Sequence, residues 1–171
     1  MVLKTPICTF DAKTGILCDM CENKLESGQI TSSDVDGSMI LTKLAQRNSE
    51  IDKMTLLGSK EIDDEVILTF KISDVRAIRS DKKLFDLIQR SFKKNVWIVE
   101  SDSNDRRFLE NLFYPVGIDN INLIWLPDGK KLTRVLMDKK KIKDIKEKTL
   151  ESIKKICLSI RKIELIVETE A

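Results

Sequence analysis

Three of the chain's four cysteines, Cys8, Cys18 and Cys21, fall within one stretch, "CTFDAKTGILCDMC", and there is no histidine anywhere in the sequence. A cluster this tight restricts the local fold to a pair of short loops brought face to face. Asp11 follows Cys8 by three residues just as Cys21 follows Cys18, so the pattern is Cys-x2-Asp-x6-Cys-x2-Cys, with Gly15 allowing the turn between the halves. Zinc takes four tetrahedral ligands and accepts carboxylate oxygen beside thiolate sulfur. The expectation is one zinc ion held by Cys8, Asp11, Cys18 and Cys21. Two other readings stay open: a redox pair at Cys18 and Cys21, or a relic site that has lost its metal. Redox pairs usually sit where a strand enters a helix of a thioredoxin-like fold, and no such pattern surrounds these residues. Cys157 lies among Ile153, Ile156 and Ile160 at helical spacing and reads as a small buried hydrophobe.

The 171 residues suffice for one ordinary domain or for two or three small ones, and a 42% apolar fraction is normal for a folded chain. No apolar run approaches the roughly 20 residues a membrane span needs, and "MVLKTPIC" has no signal-peptide core. A cytoplasmic, membrane-free protein is expected; clustered thiols fit a reducing compartment, where they bind metal more often than they pair. Charged residues nearly cancel, leaving a net +2, but basic ones gather at 75–83 and 130–148. With no histidine to act as base, no glycine-rich phosphate loop and no carboxylate pair set in a recognisable pocket, the sequence reads as a binding protein without catalytic residues or a small-molecule substrate.

Periodicity divides the rest. Thr31, Ser32 or Ser33 can cap an amphipathic helix over 32–48, whose acidic start suits its positive end. Two strands around a polar turn follow, the second at 66–72, then a helix carrying Leu84, Leu87, Ile88 and Phe92 on one face, then the strand "NVWIVE". Past "SDSND" the pattern repeats. "RRFLENLFYP" is a short helix stopped by Pro115, "GIDNINLIWL" and "KLTRVLM" are strands around Pro127-Asp128-Gly129, a lysine-rich helical region covers 139–159, and "KIELIVE" closes. The ends even rhyme, Ile98-Val99-Glu100-Ser101 against Ile166-Val167-Glu168-Thr169, which points to two copies of one α+β module.

The order α-β-β-α-α-β resembles the type II KH domain, and two in tandem resemble the KH pair of NusA. The likeness is strongest to the archaeal NusA-like family, through "CTFDAKTGILCDMC", "FLENLFYPVGIDNINLIWLPDG" and the helix-strand ending of each half. The resemblance implies an α+β chain with a zinc-knuckle-like segment at 1–30, a first degenerate KH-like domain at 31–102 and a second at 103–171. It also implies paired Cys-x-x-Cys motifs ahead of the KH folds, with Asp11 where the family has a cysteine, and a role in transcription elongation or termination. KH domains clamp single-stranded RNA on a Gly-x-x-Gly loop whose bare backbone meets phosphates. At the matching places this chain has "RAIRSDKK" and "MDKKKIKD", without glycine. What remains for RNA is charge: Arg76, Arg79, Lys82 and Lys83 in one expected loop, Lys139, Lys140, Lys141 and Lys143 in the other.

The same lysines also describe an ordinary solvated helix face. Trp97 and Trp125 could stack bases, but both lie in apolar strand runs and packing is the expected use of each. Two functions follow: an RNA-binding or ribonucleoprotein-associated factor, or a protein-binding adaptor that keeps the scaffold and docks to RNA polymerase, the ribosome or another factor.

Overall fold

A computed structural model describes residues 2–170. The chain divides into two compact units, Met1–Asp102 and Ser103–Ala171. It is α+β, with one three-stranded sheet in each unit.

The first unit opens with two short helices, α1 (Thr9–Thr14) and α2 (Asp19–Glu26), followed by α3 (Ser32–Ala45) and the single turn α4 (Ser49–Asp52). Of the three candidate caps for α3, Thr31 is used: its hydroxyl accepts from the Asp34 N–H and Asp34 answers through the Thr31 N–H, a reciprocal capping box. The expected helix to 48 stops at Ala45, because Asn48 turns its side chain to the N–H groups of Glu50 and Ile51 and so starts α4 instead.

Strands β1 (Leu56–Ile62) and β2 (Glu65–Phe70) form an antiparallel hairpin, in register from Ile62↔Glu65 and interrupted by a bulge between Leu56 and Gly58. Helices α5 (Ile72–Ser80) and α6 (Lys82–Ser91) carry the chain across to β3 (Asn95–Glu100), which lies parallel to β2. Leu41, Ile51, Leu56, Leu68, Phe70, Ile78 and Ile88, all essentially shut off from solvent, join α3, α4, the sheet and α5–α6 in one core. The Asp34 carboxylate also takes the Ser59 N–H at 2.7 Å, and Gly37 lets α3 approach β1 so closely that an added Cβ would lie 2.9 Å from Ser59.

The expected separate segment at 1–30 belongs to this first unit. Leu3 sits in the same core, Lys4 bridges to Thr55 with hydrogen bonds of 3.1 and 2.8 Å to Met54 and Leu56, and Ile7, Ala12, Cys21 and Ile30 bury against Val35 of α3.

The second unit repeats the order: α7 (Asp105–Phe113), the antiparallel pair β4 (Asn120–Trp125) and β5 (Lys131–Met137), helices α8 (Lys139–Lys143) and α9 (Glu147–Arg161), and β6 (Glu164–Thr169) parallel to β5. Pro115 follows α7 through a cis peptide bond. Arg161 at the end of α9 ties back to the start of α7, donating to the Asp105 carboxylate at 2.9 Å and the Ser103 carbonyl at 2.8 Å, with its guanidinium 4.5 Å from the Phe108 ring centre. The lysine-rich helical region expected over 139–159 forms two helices with a turn at 144–146. Asp138 caps a short first piece, and Lys139 and Lys143 repel one another at a four-residue spacing along it.

Candidate metal centre and basic surfaces

Each half of the cysteine stretch folds in the same way. Cys8 and Cys18 occupy the residue before α1 and α2 with nearly identical extended backbones, φ −69° and ψ 154° against φ −75° and ψ 169°. Their carbonyls accept the first helical hydrogen bonds, from Ala12 at 3.0 Å and Glu22 at 2.9 Å. Neither thiol caps its helix, so both are free to turn inward. Asp11 and Cys21 follow on the first turn. Gly15, in the left-handed region at φ 79°, ends α1 and swings the chain into the second half.

The halves then lock across one another. The Cys8 N–H donates to Cys21 Sγ at 3.4 Å and the Cys18 N–H to Asp11 Oδ2 at 2.9 Å, so each loop supplies a backbone donor to the other's inner side chain. The three sulfurs and a carboxylate oxygen all lie within 4.8 Å of one another. Tetrahedral zinc with Zn–S bonds near 2.3 Å needs ligand separations of about 3.8 Å, so one ion draws these atoms together by no more than roughly 1 Å. A cluster would spread its ligands over separate irons, farther apart.

Burial is uneven: Asp11 and Cys21 are 1% and 2% exposed, whereas Cys8 and Cys18 face solvent. The Cys18 N–H, followed by the thiols of Cys18 and Cys21, holds the Asp11 carboxyl well below the usual carboxylate range, against the opposing effect of burial. Burial chiefly pushes the Cys21 thiol up to about 12. A shut-in carboxylate anion beside a shut-in thiol is a donor set lacking positive charge, and a divalent cation supplies it while displacing the thiol proton. Cys157, on α9 of the second unit, is buried as expected, its thiol likewise raised to about 12 by burial.

The basic residues expected in two loops lie on helices. Arg76 and Arg79 are on α5, Asp81 alone separates α5 from α6, and Lys82 and Lys83 form the exposed first turn of α6, capped by the Asp81 carboxylate at 3.1 Å from the Lys83 N–H. Arg79 is half-buried and reaches the Ile98 carbonyl at 3.5 Å. In the second unit Lys139, Lys140, Lys141 and Lys143 are all on α8, so the interhelical turn, 144–146, comes later than the spacing suggested. Lys139, Lys140 and Lys143 are exposed, but Lys141 pairs with Asp119 at 2.6 Å, and Asp119 also accepts the Asp138 N–H at 2.7 Å.

The charge is unequal between units. Residues 103–171 carry 15 Lys and Arg against 11 Asp and Glu, a net +4, and residues 1–102 carry 15 against 17, a net −2. Trp97 is half-buried and donates to Glu65 Oε2 at 2.7 Å. The packing role expected for Trp125 does not hold: its indole is 63% exposed at the end of β4, with Lys131 Nζ 4.5 Å from the ring centre.

A solved structure described as the crystal structure of APE1850 resembles the chain with a TM-score of 0.54 at 19% identity, covering 77% of this chain and 95% of that one. At that identity the likeness is one of fold alone. No protein-family model matches the sequence, and no curated protein does. No helix among the described residues is long and apolar enough to cross a membrane.

Proposed function

We propose that this chain is a zinc-stapled RNA-binding factor of the archaeal NusA-like kind, with two KH-like modules that contact RNA through basic helix surfaces rather than a glycine clamp. The observation that carries this reading is the twofold recurrence of one topology. In each unit a helix precedes an antiparallel pair, and a two-helix crossover returns the chain parallel to the pair's second strand. That order resembles the type II KH domain, which supports the reading. Zinc is the metal because three of four donors are thiolates, which favour it over magnesium or calcium. Its chemistry there is structural, as all four positions are filled by protein. Arg76, Lys82, Lys83, Lys139, Lys140 and Lys143 meet phosphates as point charges; Lys141 and Arg79 are held by protein partners and support the surface instead. A place in transcription elongation or termination follows from the family resemblance; the cytoplasm is proposed from the clustered thiols, and a binding rather than catalytic role from the lack of histidine and of a glycine-rich phosphate loop in the sequence.

A second reading, a protein-binding adaptor docking to RNA polymerase or the ribosome, draws on the absence of glycine from both interhelical turns and on Phe10, Ile16 and Met20, each more than 70% exposed around the metal site.

Elemental analysis together with a salt-dependent titration tests the proposal. We expect about one zinc per chain and modest, weakly sequence-selective RNA affinity that falls steeply with salt, because each neutralised phosphate releases counterions. Metal-free protein with freely reactive thiols refutes the zinc reading. Absence of RNA binding at low salt, with a protein partner captured after nuclease treatment, favours the adaptor.

A further inference from the structure

Strand β4 is an edge strand of the second sheet. β4 pairs only with β5, and Leu123 and Trp125, two residues apart and therefore on one face, are 53% and 63% exposed. The indole does not hang on a loose tip. Its cross-strand partner is Lys131, whose ammonium lies 4.5 Å from the ring centre. The turn beyond is fastened by Leu126 N–H to Lys130 O and Gly129 N–H to Leu126 O, both 2.9 Å, and by Asp128 accepting the Lys130 N–H at 3.0 Å. A flat π surface is thus held in water by a rigid hairpin, with a cation against it.

Resting on the RNA reading of the preceding subsection, we infer that Trp125, with Leu123 beside it and Lys131 beneath, is a stacking platform for a base of single-stranded RNA. Charge selects this occupant. Lys131 lies against the indole, Lys130 in the adjoining turn is paired with the turn's one acid, Asp128, at 4.0 Å, and the unit carries the net +4. A base offers the π face and its phosphate the anion, so both features of the patch are used at once. The other tryptophan is unsuited: Trp97 is half-buried and bonded to the Glu65 carboxylate, which repels phosphate.

Stacking differs from phosphate contact in its response to salt, and this makes the test specific. The full chain is titrated with a fluorescently labelled 12-nucleotide oligouridine at several salt concentrations. W125A should bind about 5- to 150-fold more weakly, the span typical of a lost stacking aromatic, while W125F retains most of the affinity. The ratio of wild type to W125A should stay constant as salt rises, whereas the K131A effect should shrink and its salt slope should flatten. Unlabelled oligouridine should quench tryptophan emission of the wild type but leave W125F, which keeps only Trp97, unchanged. Wild-type binding that W125A matches, or quenching that persists in W125F, overturns the platform and leaves the RNA reading in place. A wild-type chain that binds no oligouridine even at low salt overturns both.

Discussion

At the scale of single residues, the distinctive choice is Asp11 in a position equivalent to Cys21. The carboxylate is a harder ligand than thiolate, and one of its oxygens is already engaged by the Cys18 N–H at 2.9 Å, leaving the other for the ion. Asp11→Cys should therefore hold zinc more tightly, with a chelator half-life several-fold longer than wild type, read by release of metal to a colorimetric dye. Equal half-lives would show that Asp11 does not touch the metal. That Cys8, Asp11, Cys18 and Cys21 come together was legible in the sequence because their convergence depends on short spacing, which three residues of chain transmit faithfully. Trp125 was not. The apolar run along "NLIWLP" shows that a strand is present, but whether anything covers its face depends on what packs over the sheet, and Leu123 and Trp125 are left exposed.

At the scale of elements, strands β1 to β6 and the helices α3, α6, α7 and α9 could be read from periodicity, whereas α1, α2, α4 and α5 could not, and the ends depended on capping side chains that compete with the helix. Asn48, Asp81 and Asp138 each redirect a hydrogen bond and move a boundary, and two of them turn an expected loop into helix. The α8 region shows the consequence for function. Lys141 is the only one of its four lysines drawn into a built network, through Asp119 and the Asp138 N–H, and that pairing with Lys141, ahead of the backbone bond, holds the Asp119 carboxyl below the usual carboxylate range. A carboxyl depressed in the folded state contributes stability that is present above its unfolded value and lost as pH falls through the folded one. Wild-type melting temperature should therefore drop on acidification below the usual carboxylate range, and Asp119→Asn should be lower at neutral pH yet lose less over the same interval. Parallel acid limbs for the two proteins would show that the pair adds no pH-dependent stability.

At the scale of the whole molecule, the chain fastens its beginning in two ways. Leu3 and Lys4 are secured by the first unit's main core and by hydrogen bonds to Met54, Leu56 and the Asp52 carboxylate. Residues 7–30 have a small apolar cluster, Ile7, Ala12, Cys21, Ile30 and Val35 with Leu17, Leu25 and Met39 against it, and the candidate metal site. A cluster of that size buries too little surface to order some twenty residues unaided, since small cores do not offset the conformational entropy they must fix. If the ion supplies the difference, as folding coupled to metal binding requires, its removal should act locally. Hydrogen exchange of protein stripped by chelator should show protection lost across α1 and α2 and weakened in α3 near Val35 and Met39, while the Lys4 amide and the β1–β2 hairpin keep theirs. Re-addition of zinc should restore the protection. Unchanged exchange at 7–30 after verified metal loss would mean that the cross-loop hydrogen bonds and the apolar cluster hold the segment by themselves, and that the ion serves something other than the fold.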